Sequence, residues 1–200
     1  MFESLKSLIH RTAATAHPLS RDNEQHYVAG KSSDGQKIPH SVSMQQVQQA
    51  LEDEAFRWSC TACGKCCRGP GVVYFTAEDL ENIREALKLS DAKWERLHTR
   101  LVQKRKNGLF LHQTAKACAL LGKDGKCTVY EVRPLQCRTF PFWTSNFESR
   151  ESYEWLKDFC PGVKKGDGEE FSLRTIVVET NRTEDGFARL QPPGSKTLYL

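Results

Sequence analysis

Cys60-Thr61-Ala62-Cys63-Gly64-Lys65-Cys66-Cys67 sets four thiols within eight residues, a density that ordinary core packing does not produce. Cysteines two residues apart let a tight turn present both sulfurs to one ion or cluster, and Gly64 supplies the backbone freedom such a turn needs. The stretch reads as half of a metal site. The other half lies downstream at Cys118, Cys127, Cys137 and Cys160, which completes the eight cysteines of the chain and leaves no stray thiol. The rest of the chain reads as scaffold for that cluster.

Two hundred residues, 38% hydrophobic and 27% charged, fit one soluble domain plus an extension. A formal charge of +4, with Lys and Arg interleaved among Asp and Glu, does not point to a nucleic-acid partner. No run approaches the roughly twenty apolar residues of a membrane span, and no secretory apolar segment opens the chain, so a cytoplasmic protein is expected. Residues 1–21 offer an alternative: Phe2, Leu5, Leu8 and Ile9 at helical spacing among Ser, Thr, Ala and Arg resemble an organelle transit peptide, for mitochondrion or plastid, although Glu3 counts against it. In a reducing compartment, clustered cysteines argue for metal over disulfides, and a vicinal Cys66-Cys67 bridge would be strained. Thiolates bring negative charge, which Lys65, Arg68, Arg133 and Arg138 are placed to offset.

Outward from the cysteines, Met44, Val47, Leu51 and Ala55 recur at helical spacing behind a Ser43 cap, delivering Phe56 and Trp58 to the first loop. Thr76 and Asp79 form a capping box ahead of Leu80, Ile83 and Leu87, and Ser90 caps a helix carrying Trp94, Leu97 and Leu101. The pattern then shortens through Leu109, Phe110 and Leu111, and the turn at Asp124-Gly125 predicts a hairpin that brings Cys118 and Cys127 together. Pro134 suits the start of a short helix that Phe140-Pro141-Phe142-Trp143 ends, and residues 152–158 read as helix. Phe140, Phe142, Trp143 and Trp155 are candidates to shield a metal site, or ordinary core. Residues 171–180 fit helix or strand, with the balance toward helix.

The expected fold is α+β, mainly helical, a small domain with a short β-hairpin and cysteine-rich loops stapled by metal. Residues 1–42 are expected to form a flexible N-terminal extension, 43–180 the cysteine-cluster metal-binding domain, and 181–200 an irregular C-terminal tail. Zinc takes four thiolates in a closed tetrahedral site. Iron and sulfide accept the same donors, because Cys60-x2-Cys63-x2-Cys66 repeats the spacing of the first three ferredoxin ligands, with Cys160-Pro161 as a distant fourth for a 4Fe-4S cluster. Two four-thiolate sites, one cluster plus a smaller site, and one site with redox-active spares all remain open. His112 is a minor candidate ligand, and no phosphate loop, nucleophile elbow, zinc-protease helix or dinucleotide fingerprint is present.

The motifs CTACGKCC at 60–67, CALLGKDGKCTVYEVRPLQCRTFPFW at 118–143 and CPG at 160–162 together resemble the CxxCxxCC (YkgJ-like) family of zinc- or iron-chelating domains over about residues 56–168. The resemblance implies metal binding by Cys60, Cys63, Cys66, Cys67, Cys118, Cys127, Cys137 and Cys160, with zinc or iron as the cofactor, and favours helix at 171–180. It implies no reaction. A related cysteine cluster in flagellin lysine methylases suggests a second reading, an iron–sulfur enzyme or enzyme subunit. A third is a structural-zinc module whose exposed surface binds a protein partner.

Overall fold

The computed structural model describes residues 21–69, 71–104, 110–114 and 116–190. The transit-peptide reading of 1–21 thus falls almost wholly outside the described residues. Helices α1 (Arg21–Val28), α2 (Met44–Leu51), α3 (Ala77–Leu87), α4 (Asp91–Leu101), α5 (Leu135–Thr139), α6 (Thr144–Phe147), α7 (Arg150–Phe159), α8 (Pro161–Lys164) and α9 (Leu173–Leu190) dominate the chain. Strands β1 (Phe56–Trp58) and β5 (Glu169–Phe171) form one antiparallel pair, while β2 (Gly71–Phe75), β4 (Phe110–Thr114) and β3 (Gln103–Lys104) form a second sheet in the order β2-β4-β3. The fold is the mainly helical α+β expected. No helix of the described residues is long and apolar enough to cross a membrane.

Local chemistry sets the helix starts. Ser43 accepts from the Gln46 amide while the Gln46 side chain accepts from the Ser43 amide, and Thr76 and Asp79 exchange the same pair of bonds. Ser90 precedes α4 as expected but makes no side-chain cap. Each of α2 and α3 ends on a left-handed residue, Glu52 and Lys88, whose amide turns back onto the last turn.

Two apolar clusters result. The first joins Val47 and Leu51 of α2, Phe56 of β1, Phe142, Phe147, Tyr153 and Leu156, and Ile176 and Val177 of α9. Phe56 sits at its centre, with its ring edge-on to Phe147 at 5.3 Å, and burying a ring this completely stabilises by roughly 2–3 kcal/mol. The second cluster joins Phe75, Leu80, Ile83, Leu101, Val102, Leu120 and Val129. Cys160 packs against the first cluster, and Cys118 and Cys127 against the second. The thiols therefore border both cores.

Two expectations about the ends are altered. Within the N-terminal extension, Tyr27 and Ile38 are buried with Val178. Asn181 holds this segment: its Oδ1 accepts from the Val42 amide at 2.7 Å, and its Nδ2 donates to the carbonyls of Tyr27 at 2.7 Å and Val42 at 2.9 Å. Tyr27 also donates its hydroxyl to buried Asp185 at 3.0 Å. The same bonds explain why α9 runs to Leu190, into the tail expected to be irregular from 181, since its polar residues Asn181 and Asp185 are satisfied by the N-terminal segment.

Glu184 on α9 is held above the usual carboxylate range, first by burial, against opposing hydrogen bonds from Thr144. A carboxyl whose folded pKa is raised binds its proton more tightly when folded. Its contribution is complete below the unfolded value of about 4.3 and is lost as pH rises through the folded value. Glu184→Gln is therefore expected to raise the melting temperature at pH 7 relative to wild type, with the gain disappearing below about pH 4. Thermal melts of both proteins across that range check it, and a gain independent of pH would point to packing instead.

Candidate metal centre

The first cysteine loop leaves β1 and turns through two left-handed residues, Ala62 at φ +52° and Gly64 at φ +66°, before a single 3-10 turn, Lys65–Cys67. Gly64 is needed twice, because a Cβ there would also stand 2.2 Å from the Gly125 carbonyl oxygen. This close approach seats the loop on the turn between Cys118 and Cys127. The Cys118 amide donates to the Cys67 carbonyl at 2.8 Å, and Arg68 donates to the Cys63 carbonyl at 2.9 Å. The turn itself is the expected hairpin in minimal form: Leu121 bridges Cys127, and the Gly122 amide donates to the Lys126 carbonyl at 2.8 Å.

Cys137 lies on α5, and the neighbouring residue fixes that helix. The buried Gln136 side chain accepts from the Tyr74 amide at 3.1 Å and donates to the Val72 carbonyl at 2.9 Å, so it bonds to β2 as an added strand would. Gln136→Ala is expected to cost about 1–2 kcal/mol and to speed hydrogen exchange at the Tyr74 amide. Unchanged protection at Tyr74 would show that the contact does not hold α5. Cys160 ends α7, donating its amide to the Leu156 carbonyl at 2.8 Å, and precedes Pro161 at the first position of α8.

Several sulfurs already receive amide hydrogens. Lys65 N–H points at Cys63 Sγ and Leu120 N–H at Cys118 Sγ, each at 3.5 Å. The amide of Val129 acts likewise on Cys127, and those of Val163 and Gly162 on Cys160. Such donors stabilise a thiolate over a thiol and are the outer contacts a metal-bound sulfur uses. Burial works in the opposite direction. It pushes the Cys137 thiol up to about 12, with charge on Cys66, Cys118 and Cys127 adding and the Arg133 guanidinium opposing. Cys118 is raised first by burial, with Cys127 and Cys66 contributing, and Cys127 first by burial, with Cys66 and Cys60 contributing. Cys66 belongs to an exposed residue, yet its thiol is raised, first by a hydrogen bond with Cys67 and then by desolvation. Burial likewise raises Cys160, with charge on Cys63 adding and hydrogen bonds from the Val163 and Gly162 amides and the Trp58 side chain opposing.

The thiols thus fall into neighbourhoods. Every pair among Cys66, Cys118, Cys127 and Cys137 lies within electrostatic reach, whereas Cys160 is paired with Cys63. Cys60 lies beside Cys127 and the Tyr130 hydroxyl, whose pKa is pushed up to about 12 by burial and by its bond with Cys60. Among the described residues no three His, Cys, Asp or Glu side chains are close enough to share an ion as they stand. The donor set fits zinc or iron all the same: soft sulfurs, free of disulfides, with amide hydrogens aimed at them.

Of the four proposed counter-cations, Arg133 faces the thiols, opposing the rise at Cys66, Cys127 and Cys137 while lying 3.6 Å over the Tyr130 ring. Arg68 braces the loop backbone, and Lys65 reaches away to the Asp158 carbonyl at 3.0 Å. No contact of Arg138 with a thiol is found among the described residues. Phe142 belongs to the first core, Phe140 and Trp143 stack edge-on at 5.2 Å, and Trp155, 58% exposed, stacks on Phe159 at 4.8 Å. His112 sits on β4 opposite Val73, and its side chain lies outside the described residues. Gln136, Tyr130 and Trp58 are contributors that motif reading missed. Only the nearness of Gln136 and Trp58 to Cys137 and Cys60 hinted at a role.

Residues 59–161, just over half of the chain, match the family model described as "Putative zinc- or iron-chelating domain". The uncharacterized protein MJ0661 of Methanocaldococcus jannaschii is 31% identical over 139 residues, which span 64% of this chain and 72% of that protein. No solved structure matches. With the matched span running from the residue before Cys60 to the residue after Cys160, and so enclosing all eight thiols, the chain belongs to the CxxCxxCC family of zinc- or iron-chelating domains.

Proposed function

We propose that the protein chelates zinc or iron through Cys60, Cys63, Cys66, Cys67, Cys118, Cys127, Cys137 and Cys160, and that the thiols act as two sets. The reading is carried by one observation: four thiols from three separate segments, Cys66, Cys118, Cys127 and Cys137, lie in mutual electrostatic reach, with Cys118 and Cys127 packed against the second apolar cluster. These four form the first set. Cys63 and Cys160 belong to the second, and Cys60, beside Cys127, and Cys67, bonded to Cys66, lie between the two sets. Bound metal supplies a cross-link between the chain segments, which replaces the disulfides that a reducing cytoplasm would not keep. The protein's own part is to bring the sulfurs together, aim amide hydrogens at them, and set Arg133 against their negative charge.

Elemental analysis with acid-labile sulfide, on protein purified without oxygen from its native host, tests this. Zinc or iron bound in proportion to protein is the expected result. Iron with matching sulfide identifies a cluster, and the iron–sulfur reading then follows; zinc without sulfide identifies a chelating domain. Protein free of both metals, and unable to take up either, would overturn the proposal.

A further inference from the structure

Trp58 carries a buried indole N–H that makes no hydrogen bond of ordinary geometry. Buried donors are almost always satisfied, and an indole can only donate, so a donor left this poorly satisfied asks for a stronger acceptor. The residue is also held with little freedom. It ends β1 opposite Glu169, and its ring meets Phe142 edge-on at 6.2 Å. A Cβ on Gly168 would stand 2.3 Å from the Trp58 carbonyl carbon, and one on Gly162 would stand 2.1 Å from the Ser59 carbonyl oxygen and 3.5 Å from Trp58 Cδ1. Both glycines therefore press the backbone at Trp58 and Ser59 closely. Cδ1 is bonded to the indole nitrogen, and Gly162 is two residues after Cys160. The indole edge that bears the N–H is thus set against the Cys160 turn, where it acts on the Cys160 sulfur as a weak hydrogen-bond donor that favours the thiolate.

A thiol is a weak acceptor, whereas a metal-bound thiolate keeps negative charge and takes hydrogen bonds readily. We infer that the Trp58 indole N–H is a donor to the Cys160 sulfur when that sulfur ligates metal, so that Trp58 is a positioning residue of the metal site. The inference rests on the reading of Cys160 as a ligand and adds the group that orients it. A ligating Cys160 thiolate satisfies the N–H that a thiol satisfies only weakly, which ties metal affinity to this one bond.

The test uses the full chain as wild type, W58F, C160S and the double variant, with zinc as the ion and cobalt as its spectroscopic probe. Phenylalanine keeps an aromatic ring at the site and removes the donor with part of the indole volume. Metal-free W58F is expected to melt within a few degrees of wild type, because loss of the poorly satisfied donor offsets part of the lost packing against Phe142 and Phe171. Its zinc affinity in chelator competition is expected to fall about tenfold, the low end for loss of an outer contact, and its sulfur-to-cobalt absorption band to shift. In the C160S background, W58F is expected to change the zinc affinity no further, which a purely structural role for the indole would not produce. Wild-type affinity and an unshifted band in W58F would overturn the inference alone. Failure of the wild-type chain to take up either ion would instead remove the metal-binding reading, and the inference with it. If W58F does not fold, cadmium-113 loading of the wild type gives the second measurement: a scalar coupling from the metal to an indole proton is expected, and its absence overturns the inference.

Discussion

Cys137→Ser is expected to leave the metal-free protein close to wild type in stability and to abolish metal uptake at the first set of thiols. The two halves of that expectation have separate causes. In the metal-free state the change swaps a half-buried thiol for a hydroxyl of similar size, which costs about 1 kcal/mol when the hydroxyl finds no good partner. In the loaded state it removes one of four thiolates, and an alcohol oxygen is a poor replacement for a soft donor. Closed zinc sites in small peptides contribute roughly 10–16 kcal/mol of apparent free energy, so the loss at this site should exceed any single packing change in the domain. The readings are metal stoichiometry and the difference in melting temperature with and without metal. Cys63→Ser, in the second set, should lower the stoichiometry by the other site and leave the first set loaded. If both variants keep wild-type stoichiometry and melting, the eight-cysteine assignment is wrong.

How far the sequence reached follows from the range of the interactions involved. Helices α2, α3 and α7 were legible because apolar spacing and caps at Ser43 and Thr76 lie within a few residues of each other. The Cys118 to Cys127 turn was legible for the same reason, since Asp124-Gly125 marks it locally. The pairing of β2 with β4 was not, because Val73 meets His112 across almost forty residues and neither strand signals its partner. The second half of α9 lies in the span expected to be tail, and what holds it as helix is out of local reach: the partners of Asn181 and Asp185 are Val42 and Tyr27, at the other end of the chain. The site divides in the same way. Which residues are candidate ligands could be read from spacing, but which thiols stand near one another depends on one loop resting on another. The acceptor-seeking indole of Trp58 and the strand-like side chain of Gln136 carry no motif at all.

That loop-on-loop contact is where a single methyl group should have its largest effect. Gly64 adopts a left-handed conformation that costs an L-residue roughly 1–2 kcal/mol. The methyl of Gly64→Ala would also fall 2.2 Å from the Gly125 carbonyl, 2.9 Å from Arg68 Nη1 and 3.1 Å from Leu121 Cδ1. The arginine can swing aside. The carbonyl is backbone, so relief requires the 60–67 loop and the 118–127 turn to separate, and that separation draws Cys66 away from Cys118 and Cys127. Gly64→Ala is therefore expected to destabilise the domain by about 3 kcal/mol and to lower metal affinity steeply at the first set. Gly35→Ala supplies the control, since Gly35 is left-handed at φ +83° with nothing within 4 Å of a Cβ, so it carries the conformational cost without the clash. It should lose about 1 kcal/mol and bind metal as wild type does. Equal losses in the two variants, with metal binding intact in both, would mean that the loop does not need the hairpin turn to hold its thiols in place. Backbone strain would then account for everything Gly64 contributes.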